Sequence, residues 1–347
     1  LKRPELERFD YIVVDEFHHA AADSYTRVLE RVKPRFLLGL TATPFRGDQR
    51  DLLSLCDGNL AYQVGLLEAI DLGWLVPFRY HGVADVVTFT DDLLSSLTAY
   101  DTAKLTLRFN TSERVALVLL HYRKLAGRAA LGFCVSIEHA DFMAAQFAAA
   151  GIPAAAVHSG AGSMNRVMAV QQLANGQLAV LFTVDLFNEG VDIPVVDLVM
   201  FLRPTESMTI YLQQLGRGLR LSDGKTYLAV LDFIGNYRQA HVKLPLLAGQ
   251  DLFQYPDPSS ALNALTRWIK DGIRPDRLPD GVHVTLDELS LSTLRASLDL
   301  ATPLRQLVLD NLADINARLG RTPSLTEWRR EGRYPLATAR KALGVDR

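Results

Sequence analysis

An α/β fold built on parallel sheets, followed by a mainly helical C-terminal region, is what the order of hydrophobic runs predicts for this chain. Three observations carry that expectation. Short β-branched apolar runs recur up to about residue 240, and stretches with helical spacing separate them. Beyond about residue 246 these runs give way to helical text broken by prolines. Strands alternating with helices mean a parallel sheet covered by helices on both faces.

Taken in order, Tyr11-Ile12-Val13-Val14 and Phe36-Leu37-Leu38-Gly39-Leu40 read as buried strands, with a helix near Ala20–Arg31 between them. Together with an exit segment to about residue 80 they make the C-terminal part of a first domain, too little for a whole one. Residues 81–110 are mixed and acidic, with Asp85, Asp91, Asp92 and Asp101, and read as a connector with short elements. Thr111-Ser112 then caps a helix carrying Val115 and Leu117 to Leu120.

Alternation follows. Strands are expected at Leu131–Val135, Ala154–Val157, Leu178–Thr183, Val196–Leu202 and Tyr227–Phe233, with helices at His139–Ala150, Met164–Ala174 and Met208–Leu219. Gly151 and Pro153 stop the first of those helices. Residues 111–245 are thus a complete second domain. Residues 246–347 form the extension, helical at Ser260–Asp271, Leu289–Leu300 and Pro303–Leu319 and interrupted by Pro256, Pro258, Pro275 and Pro279.

Composition narrows the class. The chain has 347 residues, is 48% hydrophobic and carries a formal net charge of −2, so a chain coated in basic residues is excluded and any polyanion must be held locally. No apolar stretch approaches the roughly 18 to 20 residues of a membrane helix. Two cysteines, Cys56 and Cys134, are too few for a disulfide framework or a cysteine-based zinc site, which fits a reducing cytoplasm.

The chemistry-bearing residues gather at the ends of these elements. Asp15-Glu16 closes the first strand, where the functional groups of α/β sheets sit. There Asp15 can hold Mg²⁺ while Glu16 polarises an attacking water, although an acidic strand end facing solvent would look the same. The second strand ends in Thr41-Ala42-Thr43-Pro44. Later come Thr183-Val184-Asp185-Leu186-Phe187-Asn188-Glu189-Gly190-Val191-Asp192 and Gln213-Gln214-Leu215-Gly216-Arg217-Gly218-Leu219-Arg220.

In this order the segments resemble motifs II, III, V and VI of the superfamily 2 DEAD/DEAH-type helicases, in the branch with restriction-enzyme and repair-helicase motors. Glu68 to Phe78 looks like the passage that leaves the first motor domain of that branch, Gly132 to Ala140 like motif IV, and Val157-His158-Ser159-Gly160 like the next strand end. The resemblance implies two RecA-like domains, ATP and Mg²⁺ as cofactors, and nucleic acid, with DNA the expected partner. It implies that His18 couples the nucleotide site to the facing domain, that Thr41 and Thr43 link hydrolysis to strand grip, and that Arg217 and Arg220 face the transferring phosphoryl group. Three residues apart on one helix, the arginines would share a face. Gly190 permits close backbone approach, and Asp192 accepts from ribose hydroxyls or from those arginines, with Gln213 beside them. Ser136 and Thr183 can meet a nucleic-acid phosphate without reading sequence, or simply cap and turn the chain.

One element of the pattern is missing. No Gly-x-x-x-x-Gly-Lys-Ser/Thr phosphate loop occurs, and the nearest decoy, Gly218 to Gly224-Lys225-Thr226, has five residues between its glycines and runs into a strand. The chain therefore reads as a C-terminal fragment, inactive alone. Two classes stay open: the motor portion of a nucleic-acid-dependent ATPase, with a restriction-system motor subunit as a variant, or a non-hydrolysing interaction module with the same architecture. From Asn316 onward eight Lys/Arg face three Asp/Glu, which reads as a charged helical surface packed on the motor in preference to a phosphate contact.

Overall fold

The computed structural model describes residues 9–17, 23–32, 34–41, 55–96, 99–125, 127, 129–184, 192–204, 207–235, 237, 240–252, 257–298, 312, 315 and 328. The chain opens with β1 (Tyr11–Val14), α1 (Asp23–Val32) and β2 (Phe36–Gly39), and the two strands pair in parallel with Tyr11 opposite Phe36 and Val14 opposite Gly39. This βαβ unit is closed by the Leu40 N–H, which donates to Val14 O at 2.9 Å.

After α2 (Leu66–Asp71), the chain enters a seven-stranded sheet through β3 (Phe78–Ala84). A small hairpin, β4 (Leu94–Ser96) and β5 (Ala99–Tyr100), and two helices, α3 (Thr102–Phe109) and α4 (Ser112–Leu125), come next. Strands β6 (Ala130–Phe133), β7 (Ala154–Val157), β8 (Val180–Thr183) and β9 (Leu198–Phe201) alternate with α5 (Ile137–Ala149), α6 (Arg166–Ala174) and α7 (Met208–Gly218), and β10 (Leu228–Ile234) follows. Beyond them lie α8 (Leu244–Leu247), α9 (Pro258–Asp271), β11 (His283–Leu286) and a helix over residues 288–298. The sheet order is β11-β3-β10-β9-β6-β8-β7, and its pairings are parallel.

Parallel sheets are buried on both faces, which is why the central strands are continuous apolar runs. Leu131, Phe133, Leu181, Val199, Phe201 and Val230 point to one side and Ala130, Val180, Phe182, Leu198, Met200 and Leu231 to the other, each set joining its own buried cluster. Phe182 packs edge-on against Phe147 of α5 with centroids 4.9 Å apart, one of the contacts that seat the helix layer. Fully burying such a side chain contributes about 1.5 to 3 kcal/mol.

Helix boundaries follow capping chemistry. Asp101 accepts from the N–H groups of Ala103 and Lys104 at the start of α3, and Asn165 from those of Val167 and Met168 at the start of α6. Helix α9 has Asp257 as its N-cap, Pro258 just inside, and Gly272 at φ 72° past its end.

Two strands differ from the sequence reading. β3 straddles the expected limit at residue 80 and the connector 81–110, and it belongs to the large sheet; β11 lies within the region read as helical. Neither is a continuous apolar run, because β3 carries Arg79 and His81, and in β11 exposed His283 and Thr285 alternate with buried Val284 and Leu286. Asp101, read as connector acidity, is a helix cap.

A buried polar knot holds β3 to β10. The Tyr80 hydroxyl donates to Asp232 Oδ2 at 2.7 Å, and the Lys243 ammonium, which also donates to the Tyr237 hydroxyl at 3.1 Å, forms an ion pair with Asp232. Burial alone would lower the Lys243 ammonium, but Asp232 and Tyr237 hold it above its ordinary value. Among the described residues no helix is long and apolar enough to cross a membrane.

Candidate functional site

The first group lies where β1 ends. Asp15 Oδ1 accepts the Glu16 backbone N–H at 2.8 Å, and Glu16 takes φ 49°, the left-handed region that a residue with a β-carbon enters at a cost of order 1 kcal/mol or more. Phe17 holds it there. Its N–H donates to Leu40 O at 2.8 Å and its ring is buried on Gly39 with Val14, Leu37, Leu55 and Cys56 around it. Thr41 directly follows Leu40 and is half-buried. His18 and Thr43 lie outside the described residues.

The second group joins the segment that follows α7 to the segment that precedes β9. Arg220 and Asp192 form an ion pair. Arg217 sits in the last turn of α7, but the helix stops at Gly218, so Arg220 is beyond it and the two arginines do not share a helical face as expected. A β-carbon on Gly218 would stand 2.5 Å from Leu228 Cδ1 and 3.1 Å from Val199 Cγ2, so glycine lets α7 close onto β9 and β10. Gln213, further back on α7, is buried. Gly190, with Asp185 and Glu189, lies outside the described residues.

Ser136 and Thr183 lie at the carboxyl ends of the neighbouring strands β6 and β8, since Phe133 is in register with Thr183 and the Cys134 N–H donates to Thr183 O at 2.7 Å. Both side chains are turned inward. Ser136 Oγ accepts the His139 N–H at 3.1 Å as the N-cap of α5 and also the Thr106 hydroxyl at 2.7 Å, while the Thr183 hydroxyl donates to Val184 O at 2.8 Å. Ser136 is thus the N-cap of α5, the Thr183 hydroxyl is bonded to the next carbonyl, and both side chains are buried.

Several participants had escaped the sequence reading. Arg114 of α4 makes a bidentate contact with Asp85, Nε to Oδ1 at 3.1 Å and Nη2 to Oδ2 at 2.9 Å, and Nη2 also donates to Leu202 O at 3.1 Å, which joins the ends of β3 and β9. His139 next to it is pushed well below the ordinary imidazole value by burial and then by Arg114. His158 Nδ1 accepts the Gly160 N–H at 3.1 Å, so Nε2 carries the proton and donates to Asp141 at 3.0 Å. Lys225 is buried beside Arg220, and its only trace in the sequence was the rejected Gly-Lys-Thr decoy.

A parallel sheet of this order with helices on both faces is a RecA-like domain. The family model for the helicase conserved C-terminal domain matches residues 112–222, and that for the res subunit of type III restriction enzymes matches residues 1–46. IRC3 of Saccharomyces cerevisiae, assigned as an ATP-dependent helicase, is 30% identical over 72% of this chain and 37% of its own length. The protein irc3 of Schizosaccharomyces pombe, assigned as a mitochondrial ATP-dependent helicase, is 30% identical over 70% of this chain and 41% of its own length. Among solved structures, a fragment assigned to the HsdR subunit of a type I restriction enzyme from Vibrio vulnificus superposes with TM-score 0.52 and 27% identity, covering 65% of this chain and 43% of that one. The chain belongs to the superfamily 2 helicases, in the branch that includes restriction-enzyme motors. It spans about two fifths of the length of either yeast relative, 37% and 41%.

Proposed function

We propose that this chain is the C-terminal motor portion of an ATP-dependent helicase or translocase acting on nucleic acid, with DNA as the substrate, and that hydrolysis between two RecA-like domains drives strand movement. The observation that carries the reading is Glu16, held in a left-handed conformation beside Asp15 at the end of a parallel strand. Strain of this kind collects at functional sites, because surrounding structure must maintain it.

Asp15 fits a magnesium ion as a hard oxygen donor, exposed at the strand end with Oδ1 fixed by the Glu16 N–H. One or two carboxylates are what a protein commonly contributes to a Mg²⁺ ion whose other ligands are phosphate oxygens and water. When bound, the ion neutralises charge on the phosphates. Glu16 takes the proton of the attacking water as its oxygen bonds to the γ-phosphorus and the bond to the β-phosphate oxygen breaks. Arg220 and Arg217 stabilise the charge spread over the transferring oxygens, an effect of about 10³ to 10⁵ in rate for a well-placed arginine. Asp192 orients Arg220 for that task.

Phosphate-release assays test the reading. An intact gene product that carries a Gly-x-x-x-x-Gly-Lys-Ser/Thr loop should hydrolyse ATP faster with DNA, and these 347 residues, which contain no such loop, should turn over negligibly alone. An intact product with no such loop and no turnover would be a non-hydrolysing module. The likeness to an HsdR fragment supports one variant, a restriction-system motor, which a nuclease assay on the intact protein separates.

A further inference from the structure

We infer that Lys225 is a positioning residue for the arginine of the hydrolytic site, an inference that rests on the function proposed above. Lys225 is buried, and its ammonium donates to two backbone carbonyls, Arg220 O at 2.9 Å and Pro194 O at 3.1 Å. Those carbonyls belong to the two segments whose side chains form the Asp192–Arg220 ion pair. The pair is therefore joined twice, once through its side chains and once through a buried ammonium beneath its backbones.

The local chain is shaped to deliver that amine. The Lys225 N–H donates to Ser222 O at 3.0 Å and Gly224 takes φ 71°, a turn that sends the side chain back under the end of α7. Past that end the chain is irregular, and a residue outside a helix has no helical ladder to fix its backbone. Leu219 O is fixed by the Val76 N–H at 2.9 Å, and the next carbonyl, that of Arg220, is fixed by Lys225. An ammonium has three donors and no acceptor, so it can hold two carbonyls at once, as a neutral alkyl chain of the same length cannot. Without it Arg220 loses the orientation that a transition-state contact needs, where misplacement by about 1 Å is enough to cost roughly 10²-fold in rate.

A double-mutant cycle on ATP turnover by the intact protein tests this, with Lys225→Met, Arg220→Ala and the pair measured for kcat, KM and melting temperature. Lys225→Met is expected to lower kcat by about tenfold or more with KM for ATP within about threefold, and to add less than about twofold in the Arg220→Ala background, because its effect runs through Arg220. Lys225→Arg, which keeps the charge and the donors, should restore part of the lost kcat. If Lys225→Met fails to fold, Lys225→Gln enters the same cycle. Independent, multiplying effects of the two substitutions, or an unchanged kcat in the folded Lys225 variant, overturn the assignment while leaving the functional reading in place. An unchanged kcat in Arg220→Ala removes that reading, and this one with it.

Discussion

The ring of Phe17 rests on the α-carbon of Gly39, so closely that a β-carbon there would stand 2.3 Å from Cγ of the ring. The residue after the acidic pair thereby packs on the last residue of the neighbouring strand, next to the left-handed turn at Glu16. Gly39→Ala is expected to push the ring out, costing about 1 to 3 kcal/mol as overpacking does, and to lower ATP turnover with it. Phe17→Leu in the Gly39→Ala background should recover part of the stability. Chemical denaturation of the single and double variants decides, and a neutral Gly39→Ala would mean the ring does not hold the turn.

Glu16 carries a different signature. Glu16→Gln keeps size and hydrogen bonding but removes the base, so turnover in the intact protein should fall by about 10² or more while ATP binding survives. Loss of ATP binding with turnover per bound nucleotide unchanged would make Glu16 a binding residue instead.

Acid should loosen the docking of the C-terminal region. Burial pushes the His241 imidazole down to about 4 from an ordinary 6.5. Ser297 gives its proton to Tyr237 O at 3.0 Å, so His241 Nδ1–H is the donor to Ser297 at 3.1 Å. Below pH 6.5 the unfolded chain gains a proton that the folded one refuses until about pH 4, so this contribution is full above 6.5 and is lost as pH falls across that window, by up to about 3 kcal/mol. His139 shifts in the same direction. Urea midpoints between pH 7.5 and 5 should fall less steeply in His241→Gln than in the parent, and identical slopes would contradict the buried neutral imidazole.

The strands that were legible in the sequence are those whose residues are apolar on both faces, such as Val180–Thr183 and Leu228–Ile234, because continuous burial leaves a continuous run. β3 and β11 were not, since each pairs with a strand far away in sequence and keeps polar residues on its half-exposed positions. The same distance hides Arg114 with Asp85, where a helix-start arginine reads as solvated until the fold supplies its carboxylate. Ser136 and Thr183 show the converse limit: a hydroxyl at a strand end serves a cap or a ligand equally well by sequence, and the fold adds that Ser136 caps α5 and that the Thr183 hydroxyl bonds the next carbonyl.

The proposed action of Arg220, aimed by Asp192, on the transition state is measured most directly by the kcat of Arg220→Ala in the intact protein. The ion pair is half-exposed, with side-chain exposures of 41% and 62%, so it adds little to stability and the substitution should leave the fold intact. The kcat should fall by about 10³ or more with nucleotide affinity nearly unchanged, and Arg220→Lys should restore little, because a point charge lacks the planar fork. A kcat equal to that of the parent, with only the salt dependence of nucleic-acid binding altered, would contradict it.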